Sequence, residues 1–284
     1  MFKDQKFNYA VFGNPIKHSK SPMIHSFFSK QTGILHTYNS IHVPLKDFRS
    51  VLCSFFEKYG QGANVTAPFK REAYSFSTQL TERAKIAQSV NTLKKVDNQY
   101  LLGDNTDGIG LLSDLIRLNF IKKNYSILIL GAGGAVQGVL FSLLSFGCSV
   151  FILNRTIENS KKIVLQFRKY GNINIFNQEL LNIKYFDLII NARSIYTEES
   201  GNVLPLSLIS SKTCFYDMNY QIDNTFFIDW CIKIGATYYT NGIGMLVFQA
   251  AHSYFLWHNI LPETNYIIEI LNKKNNMEFK DKLI

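Results

Sequence analysis

The sequence predicts an α/β protein of two domains, and three observations on the 284-residue chain predict it. The first hundred residues alternate short apolar runs with longer amphipathic segments, as the strands and helices of α/β proteins do. Near the middle, the apolar run 126–130 enters a glycine-rich turn at 131–135, and a second apolar run at 150–153 follows. The length is sufficient for two domains of ordinary size.

In the first part of the chain, strand and helix patterns follow one another closely. Strands are predicted at residues 9–12, 38–43 and 62–66, and helices from about Pro22 and over about 45–59. Because each pair of strands is separated by a helix, the sheet is expected to be mostly parallel.

The second part continues the alternation. A loop at 103–108 opens a helix that runs through Leu118, and strands are predicted at 186–190 and 214–217. Residues 241–244 introduce a long apolar helix from Met245 to about His258. The tail after Leu271 is polar and rich in lysine, so it is expected to fray.

The glycine turn between its two strands is typical of a dinucleotide-binding βαβ unit. Glycines permit the tight turn and let backbone amides approach a pyrophosphate at the N-terminus of a helix. The second strand ends in Asn154-Arg155-Thr156, where an NAD site would usually carry an acid. A guanidinium binds a 2′-phosphate through two parallel hydrogen bonds, so Arg155 favours NADP. A strand, turn and helix without a ligand is the alternative.

Composition and charge favour a packed globular protein. The chain is 46% hydrophobic and 18% charged, with a formal charge of +9. The basic residues come as scattered singles and doublets, which favours a solvated surface that attracts anionic metabolites over a nucleic-acid site. The stretch between Lys123 and Arg155 has no charge, but its glycines and its change of period favour a buried βαβ unit over a membrane span.

The cysteines and histidines do not predict a metal site. The four cysteines are far apart and form no CxxC pair, and the six histidines lack ligand spacing, so free thiols in a reducing cytoplasm are expected. The first residues also lack the apolar core of a signal peptide.

Six motifs occur in a fixed order along the chain. They are FGNPIKHSKSP at 12–22, GANVTAPFK at 62–70, SVNT at 89–92, GDNTDG at 103–108, the GAGGA turn with NRT at 154–156, and NGIGMLVFQA at 241–250. In this order they resemble the shikimate/quinate dehydrogenase family, whose NADP-linked members interconvert 3-dehydroshikimate and shikimate. The resemblance extends from about Tyr9 to Leu271, which is nearly the whole chain.

The resemblance implies a substrate site built on two serines and a catalytic pair. Ser19 and Ser21 would hold the carboxylate of shikimate, and Ser21 also has the position of an N-cap before Pro22. Lys70 and Asp107 would act at the reacting hydroxyl, although Asp107 could also cap a helix that starts at Gly108. An ammonium suits this chemistry because ketone reduction needs a proton for the developing alkoxide.

The other implied site residues are neutral partners of the substrate and positions around the cofactor. The resemblance places the substrate hydroxyls against Thr66, Asn91, Asp107, Tyr220 and Gln249. A buried structural amide is the alternative for Gln249, and core packing is the alternative for Tyr220. For NADP it implies Glu82, Gly131, Ala132, Gly133, Gly134, Ala135, Asn154, Arg155, Thr156, Met218 and Gly242.

Two positions on the cofactor side depart from the family pattern. A second basic residue is common a few positions after the first arginine, and this chain has Asn159 there. The segment that commonly reads Asn-Ala-Thr/Ser is Asn191-Ala-Arg193-Ser194. These departures bear on cofactor affinity and on the preference for the 2′-phosphate.

These observations lead to one expected organisation. Residues 1–106 would form a substrate-binding and catalytic domain, completed by C-terminal helices over 242–284. Residues 107–241 would form a Rossmann domain that binds NADP, with a cleft and the active site between the two. Two rivals stay open: a quinate/shikimate dehydrogenase that also uses NAD, and a silent NADP-binding regulatory module. A cytoplasmic location is expected, with no membrane, nucleic-acid or metal partner, and a homodimer is left open.

Overall fold

The chain forms two compact units. A computed structural model describes residues 8–177, 185–193, 204–221 and 224–281. Unit 1 comprises Met1–Gly110 and Leu246–Ile267, and unit 2 comprises Leu111–Met245 and Ile268–Ile284.

A six-stranded sheet forms the centre of unit 1. Its strands are β1 (Tyr9–Gly13), β2 (Tyr38–His42), β3 (Gly62–Val65), β4 (Gln79–Leu80), β5 (Thr92–Lys95) and β6 (Leu101–Asp104), in the spatial order β2-β1-β3-β5-β6-β4. β1 is parallel to β2 and β3, whereas β5 is antiparallel to both of its neighbours. The predicted mostly parallel sheet is confirmed, with β5 as its antiparallel member.

The helices of unit 1 connect these strands and cover the sheet. They are α1 (Ser21–Thr32), α2 (Phe48–Lys58), α3 (Lys70–Phe76), α4 (Glu82–Ala87) and the first turn of α5 (Asp107–Arg117). Phe48 of α2 stacks on Phe69 with ring centroids 4.7 Å apart, and both side chains are buried in the core. The core thus fixes residue 69, which immediately precedes Lys70.

Two predicted helix starts differ from the structure by one residue. Ser21 is the first residue of α1 and Lys20 is its N-cap, so the N-cap assignment of Ser21 is wrong. The hydroxyl of Ser19 instead accepts the Ser21 N–H at 3.3 Å. Helix α5 begins at Asp107 itself, so the carboxylate of Asp107 does not cap a helix that starts at Gly108.

Unit 2 contains the glycine turn and a fully parallel sheet. Its strands are β7 (Ser126–Leu130), β8 (Ser149–Leu153), β9 (Ile173–Ile175), β10 (Leu188–Asn191), β11 (Cys214–Asp217) and β12 (Tyr238–Thr240), with the helices α6 (Gly134–Phe146), α7 (Ile157–Phe167) and α8 (Phe226–Lys233). The spatial order is β12-β11-β10-β7-β8-β9, and each adjacent pair is parallel. If β7 is counted as strand 1 and β12 as strand 6, the order from β9 to β12 is 3-2-1-4-5-6, which is the order of the Rossmann fold.

The last two helices are α9 (Ile243–His258) and α10 (Asn265–Asp281). The predicted apolar helix is confirmed as α9, which starts two residues earlier than expected. Helix α10 continues to Asp281, so the polar tail after Leu271 lies largely within a helix, and its fraying stays a prediction.

A buried aspartate ties α5 to the rest of unit 2. Asp114 accepts a 2.7 Å hydrogen bond from the hydroxyl of Tyr216, and Arg117 donates to it at 2.8 Å and 2.7 Å. A Cβ atom at Gly244 would overlap the carboxylate of Asp114, so this position of α9 requires glycine.

Three histidines form a row in unit 1, in which His25 and His36 are buried and His258 is half-buried. His36 Nδ1 lies 2.9 Å from His258 Nε2, and His36 Nε2 lies 3.1 Å from His25 Nδ1. The ring of Tyr38 stacks on His25 with centroids 4.0 Å apart. Burial, followed by the neighbouring His258, lowers the pKa of His36 to about 3, and burial also lowers the pKa of His25 and of His258. The row is therefore neutral at neutral pH.

Acid should destabilise the protein through this row. A histidine in the unfolded chain takes up a proton near pH ~6.5. In the folded protein the pKa of His36 is about 3, so this side chain stays neutral until the pH falls to that value. Between these values the unfolded chain binds more protons, so the free energy of unfolding should fall by up to about 1.4 kcal/mol per pH unit for each buried histidine.

Urea unfolding at about pH 7.5 and about pH 5 measures this effect. We expect His36→Gln to reduce the difference between the two free energies of unfolding by roughly 2 kcal/mol, since one titrating group is gone. His42→Gln is the control, because His42 is exposed on β2. A pH dependence in His36→Gln equal to that of the wild type would contradict the assignment.

Candidate active site

Lys70 and Asp107 form an ion pair in unit 1. Lys70 Nζ lies 2.6 Å from Asp107 Oδ2, and the two side chains are 26% and 9% exposed. Lys70 is the first residue of α3, after a turn in which the Phe69 N–H bonds to the Thr66 carbonyl. The pair thus combines an ammonium that reaches solvent with a carboxylate that is nearly buried, which is an arrangement suited to proton transfer.

Asn91 orients the carboxylate of this pair. Its Nδ2 donates to Asp107 Oδ1 at 2.8 Å and to Thr106 Oγ1 at 3.0 Å, while its Oδ1 accepts from the Thr106 N–H at 2.8 Å. Gln249 of α9 is in range too, with its Oε1 3.4 Å from Asn91 Nδ2. Four of the predicted site residues are therefore in one hydrogen-bonded group: Lys70, Asn91, Asp107 and Gln249.

A layer of buried polar side chains lies behind Asn91. Ser253 Oγ lies 2.8 Å from Thr92 Oγ1 and 3.2 Å from Thr106 Oγ1, and it accepts from Asn64 Nδ2 at 3.0 Å. Thr92, Thr106 and Ser253 are fully buried. Buried hydroxyls and amides persist only where they are paired, so this layer holds Asn91 in a single orientation. Sequence reasoning missed these residues, although Asn64, Thr92 and Thr106 stand within quoted motifs.

The two serines at the start of α1 are joined to the same layer. Ser21 is buried and its hydroxyl is a hydrogen-bond partner of Tyr38. The Tyr38 hydroxyl donates in turn to Asn64 Oδ1 at 2.7 Å. Ser19 is more exposed than Ser21 and accepts the Ser21 N–H. Thr66 is half-buried just after β3, where its backbone N–H bonds to the Phe12 carbonyl.

The glycine turn of unit 2 fits a pyrophosphate. Gly131 has φ +120°, and a Cβ atom there would come within 3.2 Å of the Ala192 carbonyl, so only glycine suits the position. A Cβ atom at Gly133 or at Gly134 would meet nothing within 4 Å. Open space therefore lies over the N-terminus of α6, where free amides and the helix dipole favour an anion.

The carboxyl ends of four strands meet at this turn. Leu130 is in register with Leu153 and with Asn191, and Asn191 with Asp217, so the residues that follow them lie along one edge of the sheet. The residues brought together in this way are Gly131, Ala132, Asn154, Arg155, Thr156, Arg193 and Met218. Ligands of open α/β sheets bind at this edge, next to the strand at which the order reverses, which here is β7.

Side chains along the edge differ in exposure. Arg155 and Thr156 are exposed, and the Asn154 carboxamide donates to the Thr156 carbonyl at 2.9 Å. Arg193 is half-buried, and Asn219 Nδ2 donates to its carbonyl at 2.8 Å. A basic side chain thus follows β8 and another follows β10.

The remaining predicted positions lie in both units. Gly242 of unit 2 packs closely against the Met218 carbonyl, which leaves no room for a Cβ atom. Tyr220, also in unit 2, is half-buried, and burial raises its pKa. Glu82 is exposed at the start of α4 in unit 1, whereas Asn159 is exposed on α7 in unit 2. Ser194 lies outside the described residues.

Two kinds of site are absent from the described part of the chain. Among those residues, no group of three or more His, Cys, Asp or Glu side chains could hold a metal ion. Within the same ranges, no helix is both long and apolar enough to cross a membrane.

Comparison with known proteins gives matches in both units. The family model described as "Shikimate dehydrogenase substrate binding domain" matches residues 11–93. The model described as "Shikimate / quinate 5-dehydrogenase" matches residues 116–200.

Individual relatives match over nearly their whole length. Shikimate dehydrogenase (NADP(+)) from Buchnera aphidicola subsp. Acyrthosiphon pisum (strain Tuc7) is 69% identical over 96% of this chain and 100% of the relative. Shikimate dehydrogenase (NADP(+)) from Buchnera aphidicola subsp. Schizaphis graminum (strain Sg) is 67% identical over 96% of this chain and 100% of the relative. The structure of shikimate 5-dehydrogenase from Thermus thermophilus in complex with NADP(H) and shikimate superposes with a TM-score of 0.82 at 28% identity, over 94% of this chain and 99% of that one. The chain belongs to the shikimate dehydrogenase family.

Proposed function

We propose that the protein catalyses the NADP-linked reversible reduction of 3-dehydroshikimate to shikimate, in chorismate and aromatic amino acid biosynthesis. The observation that carries this proposal is the contact of 2.6 Å between Lys70 Nζ and Asp107 Oδ2 in a protein of this family. An NADP-binding regulatory module without activity would not need a lysine paired and held in this way.

Lys70 acts as the general acid of the reduction. When bound, NADPH supplies the hydride and NADP⁺ accepts it in the reverse direction. The ammonium of Lys70 donates a proton to the developing alkoxide and stabilises its charge. Asp107 orients the ammonium and accepts a hydrogen bond from a ring hydroxyl, while Asn91 keeps its carboxylate aligned. In the oxidation of shikimate, the same lysine takes up the proton.

The substrate is held by hydroxyl and amide groups. Ser19 and Ser21 bind the carboxylate of shikimate, next to the N-terminus of α1. Neutral donors and acceptors suit the ring hydroxyls of a polyol, and we assign this role to Thr66, Asn91, Tyr220 and Gln249.

The cofactor is held at the carboxyl edge of the unit 2 sheet. Backbone amides of the turn bind the pyrophosphate: those of Ala132, Gly133, Gly134 and Ala135. Gly131 shapes the turn, and its own N–H donates to the Leu153 carbonyl at 2.8 Å. Arg155, with Asn154 and Thr156, binds the 2′-phosphate of NADP. Met218 and Gly242 line the nicotinamide side, and we also assign Glu82 to the cofactor, as the resemblance implies.

We propose that most substrate contacts belong to unit 1 and most NADP contacts to unit 2, with Tyr220 of unit 2 and Glu82 of unit 1 as the exceptions. The expected division at 106/107 and 241/242 stays a prediction, whereas the units divide at 110/111, 245/246 and 267/268. We further propose a cytoplasmic location, supported by four free cysteines, three of them buried. A homodimer is compatible with this assignment, and sedimentation of the purified protein measures it.

A steady-state assay tests the function. We expect turnover with shikimate and NADP⁺ to exceed turnover with quinate or with NAD⁺. Comparable rates with quinate and with NAD⁺ would favour the dual-cofactor alternative. Cofactor binding without any turnover would favour the regulatory module.

Replacing the lysine tests the mechanism. Lys70→Ala should lower kcat by roughly a hundredfold or more, because a positioned acid and base is lost, with a smaller change in substrate binding. Lys46→Ala is the control, since Lys46 is an exposed lysine of the same unit. A kcat within a factor of about three of wild type would contradict the role of Lys70.

Replacing the serines tests the carboxylate site. The double variant Ser19→Ala with Ser21→Ala should raise the KM for shikimate far more than the KM for NADP⁺, because the carboxylate does not react. Ser26→Ala, an exposed position of α1, is the control. If the melting temperature falls while the KM stays constant, the serines only support the start of α1.

Replacing the arginines tests the cofactor preference. A bidentate arginine–phosphate pair that is partly exposed is worth ~2–3 kcal/mol, so Arg155→Ala should reduce the discrimination between NADP⁺ and NAD⁺ by about 30- to 150-fold in kcat/KM. A loss of preference in Arg193→Ala as well would show that Arg193 substitutes for the base missing at Asn159. Arg168→Ala is the exposed control. An unchanged ratio in both variants would refute the assignment.

A further inference from the structure

The ion pair of Arg83 with Asp104 lies beside the segment that carries Asp107. Two of its nitrogens reach the carboxylate: Arg83 Nε donates to Asp104 Oδ1 at 2.7 Å, and Arg83 Nη2 donates to Asp104 Oδ2. The Asp104 side chain is fully buried, whereas Arg83 is 32% exposed. We propose that this bidentate pair is a positioning clamp, which fixes residues 104–107 so that the carboxylate of Asp107 meets the ammonium of Lys70.

The carboxylate of Asp104 is bound on all sides. It also accepts from Thr81 Oγ1 at 2.6 Å and from the Asn105 N–H at 2.7 Å. Burial alone would raise the pKa of Asp104, but the hydrogen bonds and the charge of Arg83 outweigh burial and hold the pKa below its usual value. Without the guanidinium, a fully buried anion would retain only neutral partners.

From Asp104, a chain of hydrogen bonds leads to Asp107. The Asp104 carbonyl accepts from the Asn91 N–H at 3.0 Å, and the Asn91 carboxamide bonds to Asp107 Oδ1 at 2.8 Å. Asn105 Oδ1 accepts the Asp107 N–H at 3.1 Å, and Asn105 Nδ2 donates to the Ser89 carbonyl at 3.0 Å. Asp104 is thus connected to Asp107 through Asn91 and through Asn105. On this proposal, a displacement of Asp104 would displace the carboxylate of Asp107.

Arg83 reaches Asp104 from a different element. It lies on α4, whose N-cap Thr81 contacts the same carboxylate, so the clamp joins α4 to the end of β6. His252 of α9 is close enough to Arg83 and to Asp104 for both charges to act on its imidazole. Burial and then the guanidinium lower the pKa of His252 to about 4, so at neutral pH its imidazole is uncharged and the positive charge of this cluster is that of Arg83.

Unit 2 contains a matched ion pair. Arg117 donates to Asp114 through Nε and Nη2, and the two side chains are 30% and 1% exposed. The exposure and the residue types match those of the Arg83 pair, although both Arg117 nitrogens reach the same oxygen, Oδ1. Asp114 lies outside the segment 104–107. Arg117→Gln therefore controls for the general effect of removing an arginine from a buried aspartate.

The test combines kinetics with crystallography of Arg83→Gln, Arg83→Lys and Arg117→Gln, and its kinetic part rests on the proposed function. We expect Arg83→Gln to lower kcat for shikimate oxidation about tenfold or more, with the KM for NADP⁺ within about twofold of wild type. In its crystals the contact of 2.6 Å between Lys70 Nζ and Asp107 Oδ2 should be lost. Arg83→Lys, which keeps the charge but not the parallel pair of bonds, should fall between Arg83→Gln and wild type.

Several results would overturn the clamp. It fails if the contact between Lys70 and Asp107 persists in Arg83→Gln, if kcat stays at the wild-type value, or if Arg117→Gln lowers kcat equally. If Arg83→Gln does not fold, Arg83→Lys decides, and a wild-type kcat in that variant refutes the need for a bidentate pair. If the wild type itself does not turn over shikimate with NADP⁺, the proposed function fails, while the crystallographic contact still decides the clamp.

Discussion

The arrangement of unit 1 depends on the pairing of the Asn91 carboxamide. Its amide hydrogens go to Asp107 and Thr106, and its oxygen accepts the Thr106 N–H. One side chain therefore fixes both the backbone and the carboxylate of the segment that opens α5. A carboxamide is suited to this because it offers donors and acceptors without a charge, so it can be buried at 3% exposure. The layer of Thr92, Ser253 and Asn64 supplies hydrogen-bond partners for the other buried polar atoms around Asn91, since a buried polar group without a partner is costly.

In unit 2, the alignment of parallel strands determines where the glycine turn lies. Six parallel strands bring their carboxyl ends to one edge, and β7 lies where the order of connections reverses. The position of the glycine turn follows from this topology, whereas its shape follows from Gly131, which lies beside Ala192 with φ +120°. Backbone amides then face open space at the start of α6, and Arg155, to which we assign the 2′-phosphate, is exposed just after β8.

Much of this could be predicted because it is local. The apolar runs at β7, β8 and β11 are continuous, as buried parallel strands require, and they occur within two residues of the predicted positions. The pattern does not predict the short elements β4, β5, β6 and α4. Strands Thr92–Lys95 and Leu101–Asp104 pair antiparallel to each other and carry polar residues, so neither forms the continuous apolar run that marks a buried parallel strand. The pattern also places an N-cap at Ser21, wrongly, because propensity cannot tell which of two nearby serines accepts the first amide.

By itself the sequence determined the class of fold, the order of the motifs, the glycine turn with Arg155, and the lysine and carboxylate types that ketone reduction requires. These are properties of residue type and spacing, so they do not depend on how the helices and strands pack. Only the tertiary structure decided which side chains meet. It joined Asn91 to Asp107 across 16 positions, Asn64 to Ser253 across 189, and Arg83 to Asp104 across 21. Contacts over such separations depend on how helices and strands pack, and no local pattern in the chain encodes them.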